Sequence, residues 1–298
     1  MIRRTCTLLA VLALAASAAA QPNPVLKEKF QRRVAQLIEN LDGVAGVAIK
    51  DLRTGDEFLF NADEVFPQAS VIKIPVLITL FEEVHRGEIK LDETVALTKK
   101  QIVGGSGVLQ ELDDYRAKLS IYDLAVLMIT LSDNTATNIL IGRVTMDSVN
   151  ALMQRLGLQQ TVLQRKMMDT DAAKAGRENL STPREMMKLM EILYRSEQLS
   201  KDVCSEVLRM LRKPKRGNLR AGIPADVPLA NKTGGLFRIR NEVGLVEFEP
   251  NPYVIVVETK LLAREDDGAR LIQEISKAAF SYFQRTGTAN ALGRSFVR

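Results

Sequence analysis

The chain has 298 residues, of which 46% are hydrophobic and 26% are charged. This composition excludes a wholly disordered chain and a membrane-embedded one, and it predicts a soluble globular protein with one large or two modest cores. The net charge of +5 is too small to indicate a nucleic-acid partner.

Residues 1–20 have the pattern of a secretory signal peptide. Arg3 and Arg4 precede an apolar run over 8–16, and alanines at 18–20 form a small-residue end before a polar segment. The run is too short and too rich in alanine to span a membrane. We therefore expect a periplasmic or secreted protein that is cleaved after residue 20, has no stable membrane insertion afterwards and is a monomer.

Cysteine and histidine counts restrict the chemistry further. Cys6 leaves with the signal peptide, so Cys204 remains alone and no intramolecular disulfide can form. His85 is the single histidine, which excludes most zinc enzymes and argues against a Ser-His-Asp triad. We expect no metal and no cofactor, and a catalytic base that is Lys, Asp or Glu.

The periodicity of apolar residues predicts the elements in chain order. Residues 24–40 form an amphipathic helix, and two β-rich runs at 44–52 and 57–63 form a hairpin. Mostly helical patterns follow from residue 70 to about residue 200. Three strands then follow residue 225, and a last helix covers about 267–285.

The two ends of the chain are predicted to share one sheet, because neither set of strands can bury both of its faces alone. The predicted fold is therefore mixed α/β (α+β), with a five-stranded antiparallel sheet flanked by the first and last helices and an inserted all-helical domain. The predicted discontinuous α/β domain is 21–65 with 206–298, and the helical domain is 66–205. The basic segment 209–220 is interpreted as a solvated loop, with an anionic-partner site as the alternative.

Three short motifs contain candidate catalytic and substrate-binding residues. In Ser70-Val71-Ile72-Lys73 the serine hydroxyl and the lysine amine lie one helical turn apart on a shared face. A hydroxyl is a weak nucleophile until a base removes its proton, and a partly buried lysine near another cation can act as that base. An isolated pair of this kind is more often a helix cap beside a surface lysine.

Ser132-Asp133-Asn134 stands where one helical pattern stops and another begins. The ordinary interpretation is an N-cap. As a site, Ser132 would relay a proton to a leaving nitrogen and Asn134 would bind a substrate amide.

Asn231-Lys232-Thr233-Gly234-Gly235 ends a predicted strand. The ordinary interpretation is a strand end followed by a turn. As a site, Lys232 would bind a substrate carboxylate and lower the pKa of Lys73, Thr233 would donate a hydrogen bond, and the Gly235 N–H would face an oxyanion.

The ordered set SxxK, SDN and KTG resembles that of the class A β-lactamases and penicillin-binding proteins. Residues 104–109 and 241–244 resemble a loop and a strand of the same family, and Arg240 falls where many members have a carboxylate-binding arginine. The resemblance covers nearly the whole mature chain. It implies the β-lactamase/transpeptidase fold and an Ω-type loop near residues 162–181.

One departure from the family pattern concerns that loop. Family members carry Arg-x-Glu-x-x-x-Asn, whose glutamate and asparagine hold the deacylating water; aligned on Arg165, this chain has Met167 and Asp171 there. The aspartate that normally pairs with the arginine would fall at Asn179. Asp169, Asp171 or Glu178 are candidate substitutes, and each is otherwise a solvated loop carboxylate.

Three functions remain open from the sequence. The first is an exported serine hydrolase that opens β-lactam rings through a Ser70 acyl-enzyme, with the Ser70 and Gly235 N–H groups as oxyanion hole and with slow deacylation. The second is a penicillin-binding DD-peptidase or transpeptidase acting on D-Ala-D-Ala peptidoglycan stems, which the missing glutamate favours. The third is a non-catalytic binding module of the cell envelope, which the intact motifs disfavour.

Overall fold

A computed structural model describes residues 23–112, 117–290 and 292–295. The predicted signal peptide, residues 1–20, lies outside the described residues. Within the described ranges, no helix is long and apolar enough to span a membrane.

The first and last helices of the described residues begin and end close to the predicted positions. Asn23 caps the first helix, since its Oδ1 accepts hydrogen bonds from Val25 N and Leu26 N, and Pro24 occupies the first helical position. The helices are α1 (Pro24–Glu39), α2 (Lys73–His85), α3 (Ile121–Thr130), α4 (Asn134–Val144), α5 (Met146–Arg155), α6 (Thr170–Lys174), α7 (Pro183–Arg195), α8 (Lys201–Leu211) and α9 (Glu265–Thr288).

The predicted five-stranded antiparallel sheet is confirmed. Its strands are β1 (Val44–Asp51), β2 (Glu57–Phe60), β7 (Leu229–Leu236), β8 (Ile239–Val246) and β9 (Tyr253–Lys260). Their order across the sheet is β2-β1-β9-β8-β7, so the N-terminal hairpin pairs with the last strand, and β7 is an edge.

The helical insertion also carries two small sheets that the sequence analysis did not predict. Their strands are β3 (Phe66–Pro67) with β6 (Leu180–Ser181) and β4 (Thr94–Ala96) with β5 (Lys118–Ser120). The division into domains stays a prediction, and α8 runs across its boundary at residues 205 and 206. The basic segment 209–220 is only partly a loop, because its first residues belong to α8.

The large sheet has a hydrophobic layer on each face, as strands with alternating side-chain directions require. Val254 and Val256 of β9 face the helical insertion, whereas Ile255 and Val257 face α1 and α9. The edge strand β7 meets the 3-10 turn before α2 (Ala69–Ile72) at the boundary between the sheet and the helical insertion, and this boundary contains the three motifs.

Candidate active site

Ser70 lies in a short 3-10 turn (Ala69–Ile72) directly before α2 and is half-buried. The residue before it, Ala69, has a left-handed backbone with φ of 49°, which is a costly conformation for a residue with a Cβ. The turn is packed tightly against β7: a Cβ added to Gly234 would lie 2.7 Å from the carbonyl oxygen of Gln68. Glycine at 234 therefore permits this close approach.

Lys73 is completely buried. Its Nζ donates hydrogen bonds to Ser132 O (2.6 Å), Ser132 Oγ (3.1 Å) and Asn134 Oδ1 (3.0 Å), so these bonds go to the SDN loop rather than to the Ser70 hydroxyl. Burial, followed by the positive charge of Lys232, holds the Lys73 pKa well below its usual range. A lysine in this environment can release its proton and act as a base.

The SDN loop is fixed by the segment 104–109. Asp133 caps α4 through Ala136 N, and its other oxygen accepts hydrogen bonds from Val108 N and Leu109 N. The Asn134 side chain, nearly buried, donates to Gly104 O at 3.0 Å. Asn134 is thus engaged with Lys73 and with this segment in the free protein.

Lys232 enters the site from β7 and is also fully buried. Its Nζ donates to Ser132 Oγ (3.1 Å) and to Thr233 O (2.9 Å), so the Ser132 hydroxyl lies between the two amines. Burial, followed by the charge of Lys215, lowers the Lys232 pKa to about 7, although Glu242 opposes the shift. A substrate carboxylate beside Lys232 would restore its proton affinity.

The motifs surround one cavity of about 380 Å³. It is lined by Ser70, Ser106, Ser132, Thr233, Gly235, Leu236, Phe237, Arg240 and Glu265. Phe237 is 83% exposed at its rim. The cavity therefore combines hydroxyl groups, one cation, one carboxylate and an apolar edge, which suits a small polar substrate with an apolar substituent.

Arg240 lies in this cavity but is not a free cation. Its guanidinium forms an ion pair with Glu265 of α9 and also donates to Leu236 O and Ile239 O. A substrate carboxylate that binds Arg240 must share it with Glu265 or displace that side chain.

Position 167, where family members have the glutamate that holds the deacylating water, is a methionine in this chain. Met167 is buried in the larger core, and Asn138 of α4 holds its backbone N–H (2.7 Å) and its carbonyl (3.0 Å). Two of the candidate substitutes are exposed to solvent: Asp169 caps α6 through Ala172 N, and Asp171 lies on α6.

The carboxylate partner of Arg165 is Glu178, with an Nη2–Oε2 distance of 2.9 Å. Asn179 instead accepts hydrogen bonds from the backbone N–H groups of Gln164 and Arg165. The ion pair that closes this loop is therefore displaced by one residue from the family position, and the Glu178 carboxylate is engaged with Arg165.

The sequence analysis did not assign functions to Ser106, Phe237 or Glu265. Ser106 follows two glycines in the segment quoted for its family resemblance, and this was an available signal. No local sequence pattern indicates a function for Phe237 or Glu265. They line the cavity because of where the β7–β8 turn lies and where α9 packs.

Comparisons with known proteins agree with this geometry. Residues 29–283 match the model of the beta-lactamase enzyme family. The chain belongs to the beta-lactamase enzyme family. A beta-lactamase of Amycolatopsis lactamdurans is 27% identical over 260 residues, which cover 85% of this chain and 82% of that protein.

Solved β-lactamase structures have the same fold. A beta-lactamase of Sphaerobacter thermophilus is 32% identical to this chain, with a TM-score of 0.78. The match covers 85% of this chain and 97% of that protein's chain. PBP-A is 28% identical with a TM-score of 0.78, covering 89% and 97%; a PBP-A variant with one leucine replaced by glutamate forms an acyl-enzyme with penicillin G. Class A β-lactamases are among the neighbours, so this chain is a class A family member and a hydrolase of the serine β-lactamase type.

Proposed function

We propose that this β-lactamase family member is exported, is acylated by β-lactams at Ser70, and releases the product slowly. The observation that carries this proposal is the burial of Lys73 and Lys232 on either side of the Ser132 hydroxyl, next to the cavity that contains Ser70. Export is supported by the signal-peptide pattern of residues 1–20.

The proposed acylation begins with neutral Lys73. Its amine accepts the Ser70 proton while Ser70 Oγ bonds to the lactam carbonyl carbon, and the N–H groups of Ser70 and Gly235 stabilise the oxyanion. The C–N bond then breaks, and the leaving nitrogen receives a proton from Ser132, which Lys73 replaces. Lys232 and Thr233, with Arg240 once Glu265 has moved, bind the substrate carboxylate.

Deacylation requires a water molecule and a base. A positioned general base contributes about 10²–10⁴-fold to such a step. The Met167 thioether accepts no proton, Asp169 is engaged as the cap of α6, and Asp171 is exposed to solvent. The acyl-enzyme is therefore expected to accumulate.

A second function shares the same acylation. A DD-peptidase or transpeptidase acting on D-Ala-D-Ala stems needs no dedicated hydrolytic water, because slow hydrolysis or a different acyl acceptor suffices. Two observations favour this alternative: Met167 replaces the carboxylate, and PBP-A, whose variant is acylated by penicillin G, covers 89% of the chain.

Mass spectrometry of the mature protein mixed with penicillin tests the proposal. We expect one penicillin mass added per chain, decaying over minutes or longer, no adduct in Ser70→Ala, and an unchanged adduct in His85→Ala. His85 ends α2, about 20 Å from its start at 1.5 Å per residue, which makes it a matched control. An adduct that persists in Ser70→Ala would refute the serine assignment, and rapid turnover without any adduct would refute slow deacylation.

A further inference from the structure

A buried carboxyl group lies beneath the turn that presents Ser70. Glu258 of β9 and Gln68, which directly precedes the turn, are both fully buried. Gln68 Nε2 donates to Glu258 Oε1 at 2.9 Å. The two remaining oxygens, Gln68 Oε1 and Glu258 Oε2, are buried without a hydrogen-bond partner. Native proteins leave few buried polar atoms unpaired, so these two require an explanation.

A single proton can satisfy both oxygens. A carboxylate only accepts hydrogen bonds, whereas a neutral carboxyl also carries one O–H donor. With the proton on Oε2, Glu258 donates to Gln68 Oε1 and accepts from Gln68 Nε2, which is a reciprocal acid–amide pair. Burial raises the Glu258 pKa to about 8, against a smaller opposing effect of the Gln68 amide. Glu258 is then mostly neutral at pH 7.

Among the residues that the structure describes, no charge on the surrounding elements compensates an ionised Glu258. Lys260, two residues further along β9, is paired with Glu64, and Arg184 at the start of α7 is paired with Asp63. Glu242 of β8 lies opposite Val257 in the strand register and therefore on the other face of the sheet.

The remaining charged groups near this region also have partners of their own. On β1, Lys50 is paired with Glu57 and Glu191. Across the Ser70 turn, Lys73 and Lys232 both bind Ser132. An ionised Glu258 would therefore be a buried charge without a counter-ion, which is strongly unfavourable.

Gln68 is also the anchor of the strained turn. Its backbone N–H donates to Asn179 O (2.8 Å), and its carbonyl accepts from Val71 N (3.0 Å), on either side of the left-handed Ala69. A backbone in a rarely populated conformation persists only where its surroundings hold it. We propose that neutral Glu258 is a positioning residue for Ser70: its acid–amide pair with Gln68 holds the turn in the reactive conformation. The proposal rests on Ser70 being the nucleophile.

Two substitutions of Glu258 test the pair. Glu258→Gln keeps a reciprocal amide–amide pair without a titrating proton. Glu258→Met fills similar space but leaves Gln68 Oε1 without a partner, while Gln68 Nε2 keeps only its bond to Phe66 O at 3.4 Å. At pH 6 we expect the penicillin acylation rate constant of Glu258→Gln to lie within about twofold of the parent. We expect Glu258→Met to acylate about tenfold more slowly with unchanged penicillin affinity, since a displacement near 1 Å can cost about 100-fold.

The pH profile separates positioning from packing. At pH 9, one unit above a pKa of about 8, roughly a tenth of the parent molecules keep the proton, so the parent rate relative to Glu258→Gln should fall about fivefold or more between pH 6 and 9. Both proteins keep Lys73 and Lys232, so the titrations of those lysines cancel in the ratio. A ratio that stays flat over this range would overturn the positioning role.

A stability measurement makes the test independent of Ser70. The folded protein holds the Glu258 proton up to about pH 8, whereas an unfolded glutamate loses it near pH 4.3. The folded state therefore binds more protons between these values, and the free energy of unfolding of the parent, relative to Glu258→Gln, should fall as pH rises from about 5 to about 8. If the free energy of unfolding does not fall in this way, the acid–amide pair itself is overturned. If Ser70→Ala is still labelled by penicillin, the proposed function fails while this second measurement can still succeed.

Discussion

At the scale of single residues, desolvation is the main determinant of the chemistry of the site. Lys73 and Lys232 are buried by different elements, and each hydrogen-bonds to the hydroxyl of Ser132. For Lys73 the effect of burial on the pKa exceeds that of the neighbouring charge. Exclusion of water from the Lys73 amine is therefore the main reason that this amine can be neutral near pH 7.

Arginine substitutions distinguish the two lysines. Lys73→Arg should abolish acylation by penicillin, because a guanidinium is not a base at accessible pH. Lys232→Arg keeps a cation for the substrate carboxylate, so it should mainly raise KM, by about tenfold for a loss near 1.4 kcal/mol, with a smaller change in the acylation rate constant. Stopped-flow acylation kinetics on variants with parental circular dichroism provide the measurement. Parental rates in both variants would show that Lys73 is not the base.

The motifs predicted which residues meet, but not how they are paired. The spacing of one helical turn predicts that Ser70 and Lys73 share a face, whereas the family resemblance implied that Ser132 joins them in one site. The pairing of Arg240 with Glu265 joins two elements that are distant in sequence. Such a contact depends on where α9 packs, and no local pattern specifies that position.

At the scale of elements, the loop around Met167 is held in place by side-chain contacts although it lacks the glutamate that family members have at position 167. Arg165 pairs with Glu178, and Asn138 binds both backbone groups of Met167. The backbone is therefore held from two sides, which makes position 167 suitable for a test of deacylation.

Restoring a carboxylate at this position should accelerate deacylation. Met167→Glu is expected to shorten the lifetime of the penicillin adduct by about 10²-fold or more, in the range of a positioned general base, while acylation by Ser70 changes little. Met167→Gln is the matched control, since it has the same length and no basic oxygen. Decay of the adduct followed by mass spectrometry gives both lifetimes. Equal acceleration in the two variants would show that added space or polarity, and not a base, was limiting.

The long elements followed from the sequence, whereas several short ones did not. The strands β7, β8 and β9 and the helices α1, α2 and α7 have clear periodicity and end at Gly, Pro or a capping residue. The two-residue strands β3 and β6 exist only because distant segments meet. The helix α8 has an apolar stripe through Val203 and Val207, which was a usable signal that the basic residues after it obscured.

At the scale of the whole molecule, the sheet joins the two ends of the described chain. All eight residues of β1 are paired with β9, and α1 packs against α9 behind them. An aromatic cluster fixes this layer: Phe30 of α1 stacks on Tyr282 of α9 at 4.7 Å between ring centroids, and meets the Phe58 ring of β2 edge-on at 4.8 Å. This layer is on the opposite face of the sheet from the helical insertion.

Removing one ring from this cluster should weaken the fold without changing the chemistry. Phe30→Ala deletes a side chain that is 5% exposed, so we expect the free energy of unfolding to fall by about 3–5 kcal/mol. Phe237→Ala is the matched control for stability, because Phe237 is 83% exposed and its loss should change the same free energy by only about 0.5 kcal/mol. Urea unfolding at neutral pH measures both.

The acylation rate of Phe30→Ala per folded molecule should equal that of the parent, since the cluster packs behind the sheet and Ser70 lies in front of it. A loss of several kcal/mol is a large share of the 5–15 kcal/mol typical of a domain. Coincident loss of the whole fold in Phe30→Ala would show that the terminal helices and the sheet unfold as one unit. If instead α1 detaches alone and leaves the remaining transition unchanged, the prediction that residues 21–65 belong to the same domain as 206–298 is wrong.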